Sequence, residues 1–150
     1  MGSAVACHPP LVWNSAKTTI LYSLLHALGR LGKSTLKNKI RFRGNLILCA
    51  VRERFPDLYT VIDEAVNCRN YYVHGGDRRF DYEASHEVLN FFIDTLEFVF
   101  ATSDLIEAGW DIKAWCETPT SMSHPFGRYR ITYEGNLNKL RSLVRAEPNR

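Results

Sequence analysis

The sequence predicts an all-α fold: a bundle of four to five helices with an irregular C-terminal tail. Two observations carry this. Apolar residues recur every three to four positions along most of the chain. Glycines and prolines fall mainly between those periodic stretches rather than within them. Size and composition agree, since 150 residues with 45% hydrophobic and 12% aromatic content fit one domain that buries about 70% of the surface of its unfolded chain. Residues 1–150 are accordingly expected to form a single helical domain. Residues 1–12 are expected to be disordered, the opening MGSA has the look of a cloning scar, and the chain is compatible with a domain cut from a longer protein.

The first helix is expected over residues 14–31, with Ile20, Leu21, Leu24, Leu25, Leu28 and Leu31 on one face, Asn14 or Ser15 as its cap and Gly32 as its stop. Residues 34–54 form a second helical region, with Leu36, Ile40, Ile47, Leu48 and Val51 inward, interrupted at Gly44 and ended by Pro56. Asp57 can cap a third helix running from about Leu58 to the glycine pair Gly75–Gly76, with Leu58, Val61, Ile62, Ala65, Arg69 and Tyr72 on one stripe. The fourth and longest covers about residues 84–108 and stops at Gly109; it is apolar nearly all round, as in a central helix or one that pairs with another chain. A short helix follows at residues 110–116. Residues 117–127 read as a loop, RYRITY (128–133) alternates like an extended segment, and residues 137–144 can close the chain as a helix.

The net charge is only +3, but the charges are segregated. Residues 30–54 carry eight cations against Glu53, and residues 81–117 carry nine acids against Lys113. A local positive field suits a polyanionic partner, although a charge run is also what a solvated helix face looks like. The four cysteines show no CxxC and no zinc spacing. Cys49 and Cys68 lie in helical patterns like small buried hydrophobes, which points to a reduced, cytoplasmic protein. The N-terminus lacks the apolar core of a signal peptide, and no apolar run approaches the roughly 20 residues of a membrane span, so no membrane partner is expected.

The stretch CRNYYVHGGD, residues 68–77, holds the chemistry. With 13 arginines and 5 histidines in the chain, an Arg-x4-His pair alone means little; Arg79 and His86 form a second, looser one. The first pair is distinguished by closing a helix, carrying Asn70 and leading straight into two glycines. Five helical residues turn through about 500°, so Arg69 and His74 point some 140° apart. They can converge if the helix ends near Val73 and the glycines let the backbone turn, or across a two-fold axis. Histidine exchanges protons near neutral pH, arginine grips phosphate, and asparagine orients either. That set suffices to cleave RNA, whose own 2′-hydroxyl is the nucleophile, without metal or cofactor. The same residues also fit a plain structural role: a histidine favoured at a helix C-terminus, with Arg69 paired to Asp63 or Asp77. Tyr71 or Tyr72 can stack on a base or fill core. Asp77 and Asp81 can bind a hard cation or simply cap. Arg78 and Arg79 can hold flanking phosphates.

RNYYVH resembles the R-x4-6-H motif of the HEPN superfamily, and the longer stretch from Arg69 through LNFFIDTLEFVFATSDLIEAGWD is similar to the HEPN domains of ApeA-like bacterial anti-phage proteins. The resemblance spans roughly residues 15–140 and is strongest from Arg69 to Trp115. It implies a helical bundle, a homodimer that brings two motifs together, and metal-independent RNA cleavage in active members. It places Arg69, Asn70 and His74 in the catalytic positions. Gly76 stands where the HepT-like branch has a tyrosine, so that subtype is not implied. ApeA-like HEPN domains sit at the C-terminal end of larger proteins, which implies an N-terminal sensor domain as a further partner. The expectation is therefore an endoribonuclease whose RNA is held by Tyr72, Arg78, Arg79, Lys37, Lys39, Arg41 and Arg43. The alternatives are a catalytically silent HEPN module that dimerises or binds RNA, and a plain helical interaction domain.

Overall fold

A computed structural model describes residues 35–146, which lie within the compact unit Thr35–Arg150. The expected helix at 14–31 and the cations Arg30 and Lys33 lie outside the described residues. Five α-helices and no strand occur among those that are described: α1 (Leu36–Val51), α2 (Leu58–His74), α3 (His86–Glu107), α4 (Ile112–Glu117) and α5 (Pro125–Ala146), with a 3-10 turn at Arg52–Arg54. The all-α prediction holds. None of these helices is long and apolar enough to cross a membrane.

Thr35 starts α1 by accepting a hydrogen bond from Asn38 N (3.2 Å) on its hydroxyl. The buried face of α1 is Ile40, Gly44, Ile47 and Leu48, a spacing of four, three and one. Gly44 does not interrupt the helix, contrary to the sequence reading. A Cβ there would lie 2.7 Å from Ile62 Cδ1, so the glycine lets α1 and α2 approach closely. Leu36 faces outward, 44% exposed, and Val51 is half-buried. The two helices run antiparallel, as the cross-links Lys37–Asn67, Arg41–Asp63 and Asn45–Tyr59 show.

Asp57 occupies the expected position before α2, in left-handed backbone (φ 55°), but its side chain caps nothing. It binds Arg141 of α5 instead (2.6 Å). The buried face of α2 is Leu58, Val61, Ile62, Glu64, Ala65, Val66 and Cys68. Arg69 and Tyr72 were expected on this stripe and are exposed. The helix runs to His74, where Gly75 takes a left-handed conformation (φ 67°) and donates to Tyr71 O (3.0 Å).

Helix α3 is central and packs on α1, α2 and α5. It buries Val88, Phe91, Phe92, Phe98 and Val99, leaving Ile93, Phe100 and Leu105 exposed. Gly109 follows its end with φ 95°, as expected of a helix stop. Asp111 caps α4 by accepting from Ala114 N.

The C-terminal reading needs correction. Residues 125–146 are one helix, not an extended segment and an irregular tail. Pro125 opens it, in the first turn where a missing N–H costs nothing, and the loop shrinks to residues 118–124. In RYRITY the residues Tyr129, Arg130 and Tyr133 share one buried helical face. Tyr129 stacks on Phe98 (4.5 Å between centroids) and donates to Thr95 Oγ1 (3.0 Å); Tyr133 meets Phe55 edge-on and donates to Pro56 O (2.7 Å). Each such ring contributes roughly 1.5–3 kcal/mol through burial. Together they clamp α5 and the α1–α2 turn onto α3.

Candidate active site

The last two turns of α2 bring Arg69, Asn70 and His74 together. Arg69 Nη1 lies 3.1 Å from His74 Nε2 and 3.2 Å from Asn70 Oδ1. This convergence occurs within one protomer and within unbroken helix. The backbone does not turn at Val73 to make it; the long arm of arginine spans the 140° between the two Cβ directions. A guanidinium only donates hydrogen bonds, so Nε2 of His74 must accept one. The ring proton then sits on Nδ1, and Nε2 offers a lone pair.

Among the described residues Arg69 is not held by an acid. Asp63, one proposed structural partner, is taken by both Nε (2.8 Å) and Nη2 of Arg41. Asp77, the other, forms no ion pair among the described residues. Arg69 and His74 are both exposed and Asn70 is half-buried, so the group forms an open surface, accessible to a polymer. His74 does occupy the last helical turn, where the partial negative charge of the helix end favours a cation.

Among the described residues, the thiol next to Arg69 in sequence offers no alternative nucleophile. Cys68 precedes Arg69 but points into the core, 6% exposed, and burial pushes its thiol up to about 11, which keeps it protonated and inert near neutral pH. Cys49, expected to be buried, is exposed and lies on α1. Asp81 acts as a cap, its Oδ1 accepting from Glu83 N (3.0 Å) and Ala84 N (3.2 Å). Among the described residues no three His, Cys, Asp or Glu side chains cluster as metal ligands.

The proposed RNA-binding residues divide in two. Tyr72 (52% exposed) and Arg78 stand open beside the motif. Tyr71, in contrast, is half-buried against Tyr82. Lys39 is exposed on α1. The rest are engaged: Lys37 with Asn67 (3.3 Å), Arg41 with Asp63, and Arg43 with Asp104 and Ser103 while lying 5.2 Å above the Phe100 ring. Much of the basic stripe on α1 thus closes against acids and amides of α2 and α3. Arg79 departs furthest from expectation. It binds Glu64, a carboxylate only 2% exposed on the inner face of α2. Sequence reading missed this pair, yet the signal was present: Glu64 sits between Val61–Ile62 and Ala65–Val66, and a carboxylate on an apolar face needs a cation.

No curated protein and no solved structure matches the chain. A family does: residues 15–113 match the model described as Apea-like HEPN, a span that contains Arg69, Asn70 and His74. Two thirds of the sequence fit that family together with the helical bundle seen here, and the chain belongs to it.

Proposed function

We propose that this is a metal-independent endoribonuclease domain of anti-phage defence, with Arg69, Asn70 and His74 as its catalytic residues. The observation that carries the reading is the Arg69–His74 contact: an exposed guanidinium, free of any acid partner among the described residues, resting on the lone pair of a histidine. Neither partner of Arg69 is an acid, so the phosphate of an incoming RNA outcompetes them through a charge-assisted, bidentate grip. Arg69 then turns to the non-bridging oxygens and releases Nε2 of His74. His74 takes the proton of the 2′-hydroxyl as the 2′-oxygen forms its bond to phosphorus. The bond from phosphorus to the 5′-oxygen breaks, and the leaving oxygen takes a proton from solvent or from His74 of a second copy. Arg69 stabilises the charge on the phosphorane, an effect of about 3–4 kcal/mol by comparison with a lost oxyanion donor. Asn70 keeps the guanidinium in its plane, Tyr72 offers a ring face to a base, and Arg78 and Lys39 meet flanking phosphates.

The reading includes a homodimer, for which the exposed Ile93, Phe100 and Leu105 of α3 offer apolar surface, a cytoplasmic setting, and a sensor domain N-terminal to this one in a longer protein. The expected products end in a 2′,3′-cyclic phosphate and a 5′-hydroxyl, in the presence of EDTA. The decisive substrate is an oligonucleotide with a single 2′-deoxy sugar at a mapped cleavage site. Cutting at that bond, products with a 5′-phosphate, or a strict need for magnesium would each overturn the mechanism.

A further inference from the structure

Residues 75–85 leave the end of α2 and form a strap. Gly75 turns the chain in left-handed backbone directly after His74. Gly76 then lies against Asn70, its Cβ direction meeting the Asn70 carbonyl oxygen at 3.9 Å. Three residues on, Arg79 reaches Glu64, ten positions before His74 and therefore about 15 Å back along the helix. From His74 to Arg79 the backbone can span at most about 17 Å, so the strap runs back beside α2 instead of away from it. Its second half is fixed by Phe80 and Tyr82, each 1% exposed, and by the Asp81 cap.

The anchor is chemically unusual. Glu64 is a buried carboxylate whose Oε1 is held by Arg79 and whose Oε2 has no hydrogen-bond partner among the described residues. An apolar side chain of similar volume would fill the same space at less cost in desolvation. What an ion pair supplies and an apolar contact does not is direction: it fixes one point of the strap against one point of α2. We infer that the Glu64–Arg79 pair is a positioning clamp for the motif, holding the strap so that the last turn of α2 stays wound and His74 keeps its imidazole against Arg69. Arg79 thereby acts through His74 and not as a contact to RNA. The inference builds on the ribonuclease reading, and its test separates the two.

The experiment compares the full chain with Glu64→Gln and Arg79→Lys, measuring steady-state cleavage of a defined single-stranded RNA and the 15N resonances of the His74 ring. The wild type is expected to show Nε2 with the signature of an unprotonated nitrogen, as a donation from Arg69 requires. The clamp predicts that both variants lose about 10- to 100-fold in kcat with KM nearly unchanged, and that the His74 resonances move toward those of an unrestrained ring, which favours the proton on Nε2. Should Glu64→Gln fail to fold, Arg79→Lys carries both readouts. A folded variant with wild-type kcat and unmoved His74 resonances overturns the clamp, as does a rise in KM alone, which would return Arg79 to the RNA. Absence of cleavage by the wild type would defeat the ribonuclease reading while the ring resonances still decide the clamp.

Discussion

Arg69 and Arg130 sit on long helices and each spends its guanidinium on two neighbours, yet they do opposite things. Arg130 is 7% exposed, donates to the carbonyls of Trp115 and Thr118 (2.6 Å for the latter) at the end of α4, and lies 4.5 Å over the Trp115 ring. Its partners are backbone groups that cannot leave, and it serves as the C-terminal cap of a six-residue helix. Arg69 is exposed, and its partners are a side-chain amide and an imidazole that can rotate away. The difference teaches what distinguishes an arginine built into the architecture from one left available to a ligand. The type and mobility of its partners decide this, not its burial alone.

Substitution should separate the two most sharply at the motif. Arg69→Ala and His74→Ala are expected to lower cleavage by about 10²–10⁴-fold while shifting stability by under ~0.5 kcal/mol; turnover assays read beside thermal melts check this, and a large loss of melting temperature in either would erase the contrast. Arg130→Ala should do the reverse. Losing two charge-assisted bonds and the ring contact costs about 3 kcal/mol of folding stability, while the protein that remains folded cleaves at the wild-type rate; denaturant unfolding with activity normalised to folded protein reads both. The smallest effect lies between these extremes. Arg78→Ala should lower the slope of log affinity for RNA against log salt by roughly 1. Arg41→Ala should change it little, because that guanidinium is already neutralised by Asp63. Binding titrations at several salt concentrations distinguish them, and equal slopes would mean that intramolecular pairing does not decide which cations meet RNA.

Much of the frame was legible in the residues because helix periodicity and stop signals are local. Leu58 to the glycine pair, the long apolar helix ended by Gly109, and the short helix after it all follow from patterns within a few turns. What was misread depends on contacts distant in sequence. Gly44 looks like a breaker until Ile62 is known to lie across from it. The alternation in RYRITY suits a strand as well as a helix, and only the rings of Phe55 and Phe98 decide for Tyr129 and Tyr133. The basic stripe on α1 gives no local sign that Asp63, Asn67 and Asp104 are brought against it. In the candidate site, the trio itself was legible from its spacing and context, but its mode of convergence was not, because that depends on the reach of one side chain. The pairing of Arg79 with Glu64 was not legible, because it depends on the burial of a residue fifteen positions earlier in the chain.

The placement of His74 at the very end of α2 has a thermodynamic consequence. Terminal helical turns open and reclose with free energies near zero, on time scales of roughly a microsecond or less. The turn that carries His74 is closed by the bond from Gly75 N–H to Tyr71 O. On the ribonuclease reading, the competent site is therefore a population, sampled many times within any turnover, and its rate scales with the fraction of time the turn is wound. A contact that favours the wound state by about 1.4 kcal/mol raises a sparsely populated site tenfold. Output can thus be set continuously by whatever leans on one turn of helix, with no rearrangement of the core beneath it.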